Sequence, residues 1–394
     1  MNVANEDVGE ITMENKKNIC IVSSQYLPHV GGVENFVFNL SRELAGRGHQ
    51  VTIVTSQMDG VPDYETEGNI EIFRLPTKQF MDGRFPVLKP CGELNRWKKE
   101  FRKRNFDIML VNMRFYFISL YMLRLAKKMG VRCIMLDHGS SHLNTGGRFT
   151  TMLSEWFEHG ITFLEKRYCK EFAGVSKASL EWIQHFGIHS ELLLTNAVDV
   201  ERFERLKSSP CCDFRAEYGI PKDAVVISFV GRITVEKGIH HLVKAVKRIN
   251  ETRSDVYLLA AGNGYLREEL EQIKSENTHF VGQIPTEKVV PLLMQSDIFC
   301  LPSFSEGFPT CVLEAGICNA FVITTERGDA KEVVLNRDYG IILPDNHEDG
   351  VYEALVSVLD EPEYRRKATA LCYDRIINNY TWKHTADTFL KLME

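Results

Sequence analysis

Two glutamates stand eight positions apart in "SFSEGFPTCVLEAG" (303–316). Glu306 lies in a turn punctuated by Gly and Pro, and Glu314 lies about one turn into an apolar run that reads as a helix. A hydrolase dyad needs two carboxylates across a scissile bond at a defined separation, which this spacing does not establish. A metal site would need further oxygen or imidazole ligands, and the stretch holds none. A second loop, "GRITVEKG" (231–238), follows an apolar run and opens another helix. Gly231 and Gly238 permit close backbone approach, the N–H groups of the new helix are expected to face outward, and Arg232 and Lys237 add two cations. That combination suits a phosphate or diphosphate. A solvated loop whose charges pair with Glu236 explains the same residues equally well.

The two stretches together suggest one ligand. An ionised carboxylate accepts hydrogen bonds through both oxygens, which matches a vicinal diol, and a sugar nucleotide carries one on its ribose and one on its sugar. Carboxylates beside a diphosphate need cations between them, and Arg232 and Lys237 supply these. Thr310 is expected to cap the helix start, leaving the N–H groups of Cys311 and Val312 open to the ligand. The bland alternative is a pair of ordinary surface glutamates.

These loops need a scaffold, and the chain alternates short β-rich runs with longer amphipathic ones. "NICIVSS", "QVTIVTS", "FDIMLVN" and "VRCIMLD" read as strands in the first half, "VVISFVG", "VYLLAAG" and "SDIFCLPS" in the second. Near-continuous apolar strands imply parallel sheets covered by helices on both faces. The order strand, glycine loop, helix begins twice, at Asn18 and again at Val225, and in the second helix Ile239, Leu242, Val243, Val246 and Ile249 share one face. Two doubly wound α/β domains follow. A flexible tail is expected over residues 1–17, the first domain over 18–205 and the second over 206–377. The polar, turn-rich segment 201–223 joins the domains, and a C-terminal helix over 378–394 packs back towards the first. Ligands in such sheets bind at the carboxyl ends of strands, and a cleft between two sheets suits an elongated one.

Composition agrees with a soluble globular protein: 25% charged, 44% hydrophobic, net charge −6, which argues against a nucleic-acid binder. The acidic, polar N-terminus is not a signal peptide, and no apolar run reaches the length of a membrane span; "FYFISLYML" (115–123) reads as a buried helix. Ten cysteines without ligand spacing favour reduced thiols in a cytoplasmic protein.

"GRITVEKG" and "SEGFPTCVLEAG" together resemble the donor-site signature of the family 4 retaining glycosyltransferases. "PHVGGVE", "LDHG", "GVS", "TNAVD", "AGNGY", "FVGQIP" and "SDIFCLPS" fall in the family's order, so the likeness spans the chain from about Asn18 onward. The resemblance implies the GT-B fold, with two Rossmann-like domains facing across a cleft. It implies that Arg232 and Lys237 bind the donor diphosphate, Glu306 the hydroxyls of the transferred sugar and Glu314 those of the ribose. Backbone around Gly307, Phe308, Pro309 and Thr310 would hold sugar and phosphate, and Val281 to Ile284, with Gln283 among them, would lie against the nucleobase. Gly31 and Gly32 would form the first-domain loop nearest the phosphates and acceptor. His138 would sit at the reacting centre, its side chain near the sugar and its carbonyl near the anomeric carbon. Ala197, Asn319 and Phe321 depart from the family's usual glycines and proline but touch no charged position.

With no D-x-D pair in the chain, no metal-bridged diphosphate and no cofactor are implied beyond a nucleotide-diphosphate sugar, expected to be UDP-linked, as co-substrate. The expected acceptor is a glycan or a lipid-linked molecule. "RWKKEFRKR" (Arg96–Arg104) carries six cations and two aromatics, which motivates contact with an anionic membrane at its inner face; a solvated helix explains it equally well. A synthase of small soluble glycosides and a silent nucleotide-sugar-binding protein are the alternatives. A dinucleotide-dependent oxidoreductase is disfavoured because no GxGxxG follows the first strand.

Overall fold

All seven runs read as strands become strands, and they lie in two parallel sheets. The computed structural model describes residues 16–29, 31–80, 85–139, 142, 148–208 and 211–394. The expected N-terminal tail lies outside the described residues except for its last two. The first sheet contains β1 (Asn18–Val22), β2 (Gln50–Ser56), β3 (Tyr64–Glu67) and β4 (Ile70–Leu75). A separate antiparallel hairpin, β5 (Thr77–Phe80) and β6 (Phe85–Leu88), interrupts the sequence before β7 (Ile108–Asn112), β8 (Arg132–Asp137), β9 (Glu171–Gly174) and β10 (Leu192–Leu193) complete the sheet. The spatial order is β10-β9-β8-β7-β1-β2-β4-β3, parallel throughout except for the β3–β4 edge. The second sheet contains β11 (Val225–Val230), β12 (Val256–Ala261), β13 (Thr278–Gly282), β14 (Ile298–Leu301), β15 (Phe321–Thr325) and β16 (Ile341–Leu343), in the order β13-β12-β11-β14-β15-β16.

Side chains of one strand serve two cores. Ile19 and Ile21 of β1 pack with Phe36, Val37 and Leu40 on one face, while Cys20 and Val22 join Phe101, Met122 and Leu123 on the other. This is the two-residue period of a sheet buried on both sides. The five apolar residues expected on one face of the helix Ile239–Asn250 are all buried. "FYFISLYML" contributes to the helix Phe117–Met129, with Ile118, Met122 and Leu123 buried.

In each sheet the winding reverses once, between β1 and β7 and between β11 and β14. Loops leaving neighbouring strands diverge at such a switch point and leave a crevice at the carboxyl ends.

Two segments differ from expectation. The stretch read as a turn-rich connection contains helices Val200–Ser208 and Phe214–Glu217, because each buries one aromatic, Phe203 and Phe214, that the polar composition masks. The basic segment lies on and just beyond the helix Gly92–Phe101, and both its aromatics, Trp97 and Phe101, are buried in the core. Arg96 pairs with Asp63, and Arg104 pairs with Glu71 and lies over the Phe73 ring. The C-terminal helix Trp382–Met393 rests on the helix Gly32–Gly46 of the first domain. Trp382 meets the Phe36 ring edge-on at 5.5 Å, Arg47 pairs with Asp387, and Thr385 Oγ1 donates to Thr195 O.

Candidate active site

The loops after β11 and β14 leave adjacent strands at the second switch point. Gly238 closes the first of them at φ +68°, and a Cβ there would stand 1.9 Å from the Pro302 carbonyl oxygen. Only glycine fits both the backbone and the space. The loop ends in a 3₁₀ turn, Val235–Lys237, closed by bonds from Lys237 N to Thr234 O and from Gly238 N to Val235 O just before the helix begins at Ile239.

Lys237 leaves this turn and meets Glu306 of the neighbouring loop. Its Nζ lies 2.7 Å from each carboxylate oxygen, and Ser303 Oγ donates to Glu306 Oε1 at 2.6 Å. The cation and the anion expected to hold different parts of a donor hold each other, and both side chains are largely buried. Removing either partner leaves a charge in a poorly solvated place. Arg232 is exposed on the same loop.

Glu314 occupies a different place. The helix Thr310–Ile317 starts after Pro309, not with Thr310 as its cap, and Val312 N donates to Pro309 O at 2.9 Å. Thr310 is already helical, so its hydroxyl does not cap, and the Val312 N–H is spent within the first turn. Glu314 lines a groove of about 80 Å³ with Gly32, Asn196, Arg202, Thr286 and Trp382. Gly32 of the first domain and Glu314 of the second thus share one groove. Burial pushes the Glu314 carboxyl up to about 7, against the pull of Arg202.

The facing wall comes from β1, β7 and β8. His138 Nε2 lies 2.9 Å from Asn112 Oδ1, and Asn112 Nδ2 donates to Val22 O at 3.0 Å, so three neighbouring strand ends are tied together. Because the Asn112 oxygen accepts, Nε2 carries the proton and Nδ1 keeps its lone pair. Burial holds the imidazole neutral, with its pKa lowered to about 3, and its ring stands edge-on to Phe36 at 5.1 Å. Asp137 steadies the following turn, accepting from Gly139 N at 2.9 Å and from Arg114 Nε at 2.6 Å. Gly31 caps the first helix in extended backbone, and a Cβ there would lie 2.4 Å from Glu34 Oε2.

The walls touch at Gly307. A Cβ on Gly307 would stand 2.2 Å from the His138 carbonyl oxygen, so a second-domain loop seats against the backbone of His138. Phe308 is buried behind it, in tilted contact with Tyr380 at 5.9 Å. Gln283 is exposed and Ile284 half-buried just beyond Gly282, which ends β13 at φ +85°. A cavity of about 1220 Å³ borders Glu306 and is lined mainly by residues around Lys177, Trp182, Arg327, Glu332 and Asp345, not by Lys237, Arg232 or His138. The chemistry concentrates at the strand ends beside it. Asn112, Ser303 and Arg202 were missed from sequence; of these only Asn112, a polar residue closing the apolar β7, gave a signal.

The description "Glycosyltransferase Family 4" matches residues 30–202, and "Glycosyl transferases group 1" matches 213–371. The chain belongs to glycosyltransferase family 4. An uncharacterized glycosyltransferase of Methanocaldococcus jannaschii is 23% identical to it, over 96% of this chain and 98% of the relative. The phosphatidylinositol N-acetylglucosaminyltransferase GPI3 subunit of Saccharomyces cerevisiae is 24% identical over 94% and 81%. Among solved structures, the sucrose-phosphate synthase of Thermosynechococcus elongatus superposes with a TM-score of 0.74 at 20% identity, covering 96% and 98% of the two chains. Anabaena HepE in complex with UDP-glucose gives 0.72 at 14% identity, covering 96% and 99%. The fold of this glycosyltransferase is GT-B.

Proposed function

We propose that this glycosyltransferase moves a sugar from a UDP-sugar to a lipid-linked or glycan acceptor, with retention of anomeric configuration. The observation that carries the reading is the Lys237–Glu306 pair at the second switch point, with the next residue, Gly307, seated on His138. A donor exchanges that pair for two others. Lys237, with Arg232, takes the diphosphate, and Glu306 accepts from hydroxyls of the sugar. Glu314 accepts from the ribose, and the segment through Gln283 and Ile284 faces the base. The acceptor oxygen bonds to the anomeric carbon as the bond to the phosphate oxygen breaks, and a phosphate oxygen of the leaving group takes the acceptor's proton. Lys237 and Arg232 stabilise the charge left on the diphosphate, and the proposed step routes through no metal. The neutral His138 imidazole adds no positive charge beside the sugar. The UDP donor is supported by the UDP-glucose complex of HepE and the lipid-linked acceptor by the name of the yeast relative.

The proposed membrane contact shifts from the basic helix to the helix Arg148–Glu165. Trp156, Phe163 and Leu153 stand 76%, 59% and 52% exposed on it, and Arg167 lies over the Phe163 ring. Exposed apolar side chains beside a cation suit an anionic interface. Among the described residues no helix is long and apolar enough to cross a membrane.

The test is calorimetric titration with UDP-, GDP- and ADP-sugars, followed by turnover on detergent-solubilised lipid acceptors against free sugars. Binding of none of the three overturns the proposal, and transfer only to free sugars assigns the chain to soluble glycoside synthesis. Lys237→Ala is expected to lower kcat by at least about a hundredfold. Glu314→Ala is expected mainly to weaken donor binding, by about tenfold or more. Equal losses of kcat with unchanged donor affinity would refute this division of labour.

A further inference from the structure

Three histidines far apart in the chain meet on the flank of the first domain: His142 after the His138 turn, His159 on the helix Arg148–Glu165, and His185 at the end of the helix Lys177–Gln184. One ligand atom of each lies within 4.8 Å of the other two, and His159 Nε2 and His185 Nε2 are 3.2 Å apart. The ring centroids are separated by 5.0, 5.2 and 6.0 Å. Zinc–nitrogen bonds of about 2.0–2.1 Å at tetrahedral angles place nitrogens about 3.3 Å apart. The His159–His185 pair has that spacing, and a small movement of His142 completes it. We propose that His142, His159 and His185 bind a divalent transition metal of the zinc class, with water in the fourth position.

The surroundings support the assignment. His142 Nδ1 lies 3.2 Å from Glu158 Oε2, the orienting carboxylate that metal-bound imidazoles usually have. Glu158 and Asp137 are both buried there against one guanidinium, Arg114, which fixes Glu158 beside the cluster. Trp182 stacks on His185 at 5.4 Å, and Phe186 contacts all three rings, so one aromatic wall lines the cluster. His159 and His185 are exposed, so an ion can enter and water can complete the shell.

Such a site is a brace. It joins the segment that follows His138 to the helix Lys177–Gln184, whose first N–H groups, of Lys177 and Ala178, bond to Asp329 of the second domain. Metal binding therefore ties His142 and the helix Arg148–Glu165 to the element that docks the domains.

The test uses the full chain stripped by chelation and dialysed. Zinc titrated in competition with a chromophoric chelator is expected to bind at one equivalent, and cobalt(II) is expected to give the intense visible bands of a four-coordinate site. His159→Ala and His185→Ala should each weaken zinc at least about tenfold, abolish those bands and remove the thermal shift zinc produces. Circular dichroism of both variants matching the parent chain separates loss of a ligand from loss of fold. No stoichiometric binding, or binding unchanged in both variants, overturns the proposal. Neither outcome depends on the donor or on turnover.

Discussion

Glu314 is a carboxyl kept near its titration point. With a pKa of about 7 it is protonated through mildly acidic pH and charged above it, whereas the unfolded chain loses this proton near 4.5. Across that window the unfolded state binds fewer protons, so this residue lowers stability as pH climbs from about 4.5 to about 7. Binding runs the other way, because a ribose diol donates to a carboxylate better than to an acid. Donor affinity measured by titration should therefore rise between about pH 6 and pH 8, and Glu314→Gln should remove most of that rise. An unchanged slope in the variant would place the titrating group elsewhere. Arg202, which already draws the carboxyl downward, sets how far the transition lies from neutrality.

Two glycines in the loops after β11 and β14 serve different ends. At Gly238 the left-handed backbone alone costs an L-residue about 1–2 kcal/mol, and a Cβ would also collide with the Pro302 carbonyl inside the same domain. Gly238→Ala should lower the melting temperature measured by calorimetry. Gly307 meets its obstacle, the His138 carbonyl, across the cleft. Gly307→Ala should leave the second domain folded but hold the walls apart, reducing kcat at least about tenfold with a melting temperature close to that of the parent. Equal stability losses in both variants would argue against that separation. The helix Arg148–Glu165 carries a further prediction. Trp156→Glu should abolish co-sedimentation with anionic vesicles at low salt while leaving donor affinity intact.

The two domains are joined by more than their connection. One apolar cluster runs from Ile19 and Phe36 through Trp382 and Phe389 to Phe229 and Leu313, so core packing continues from one sheet to the other. On the far side, Asp329 accepts from Lys177 N and Ala178 N, and Lys177 Nζ pairs with Glu332 at 2.7 Å. Asp329 is buried and caps a helix of the opposite domain, so Asp329→Ala should cost the docked state about 1–2 kcal/mol. The expected readouts are a lower kcat, an unchanged donor Kd, and thermal unfolding that loses cooperativity between the domains. A single unbroken transition at the parent temperature would assign the docking to the apolar cluster alone.

Much of this architecture was legible along the chain. Continuous apolar runs such as "NICIV" and "DIFCL" specify strands buried on both faces, and the spacing of Ile239 to Ile249 specifies a helix with one apolar side, because both patterns depend only on neighbours a few residues away. The glycine loops and the charged residues on them were legible for the same reason. Which charges meet was not. Lys237 and Glu306 are 69 residues apart and become partners only because β11 and β14 are adjacent at a reversal of strand order. Pro309 displaces Thr310 as the cap, Trp97 and Phe101 turn inward from a basic helix, and three unrelated histidines converge, each through packing between elements distant in sequence. The sequence by itself determined the strands, the loops and the family; only the tertiary structure decided that Lys237 rests on Glu306 and that Gly307 closes on His138, because long-range contacts are set by sheet order and domain docking rather than by local period.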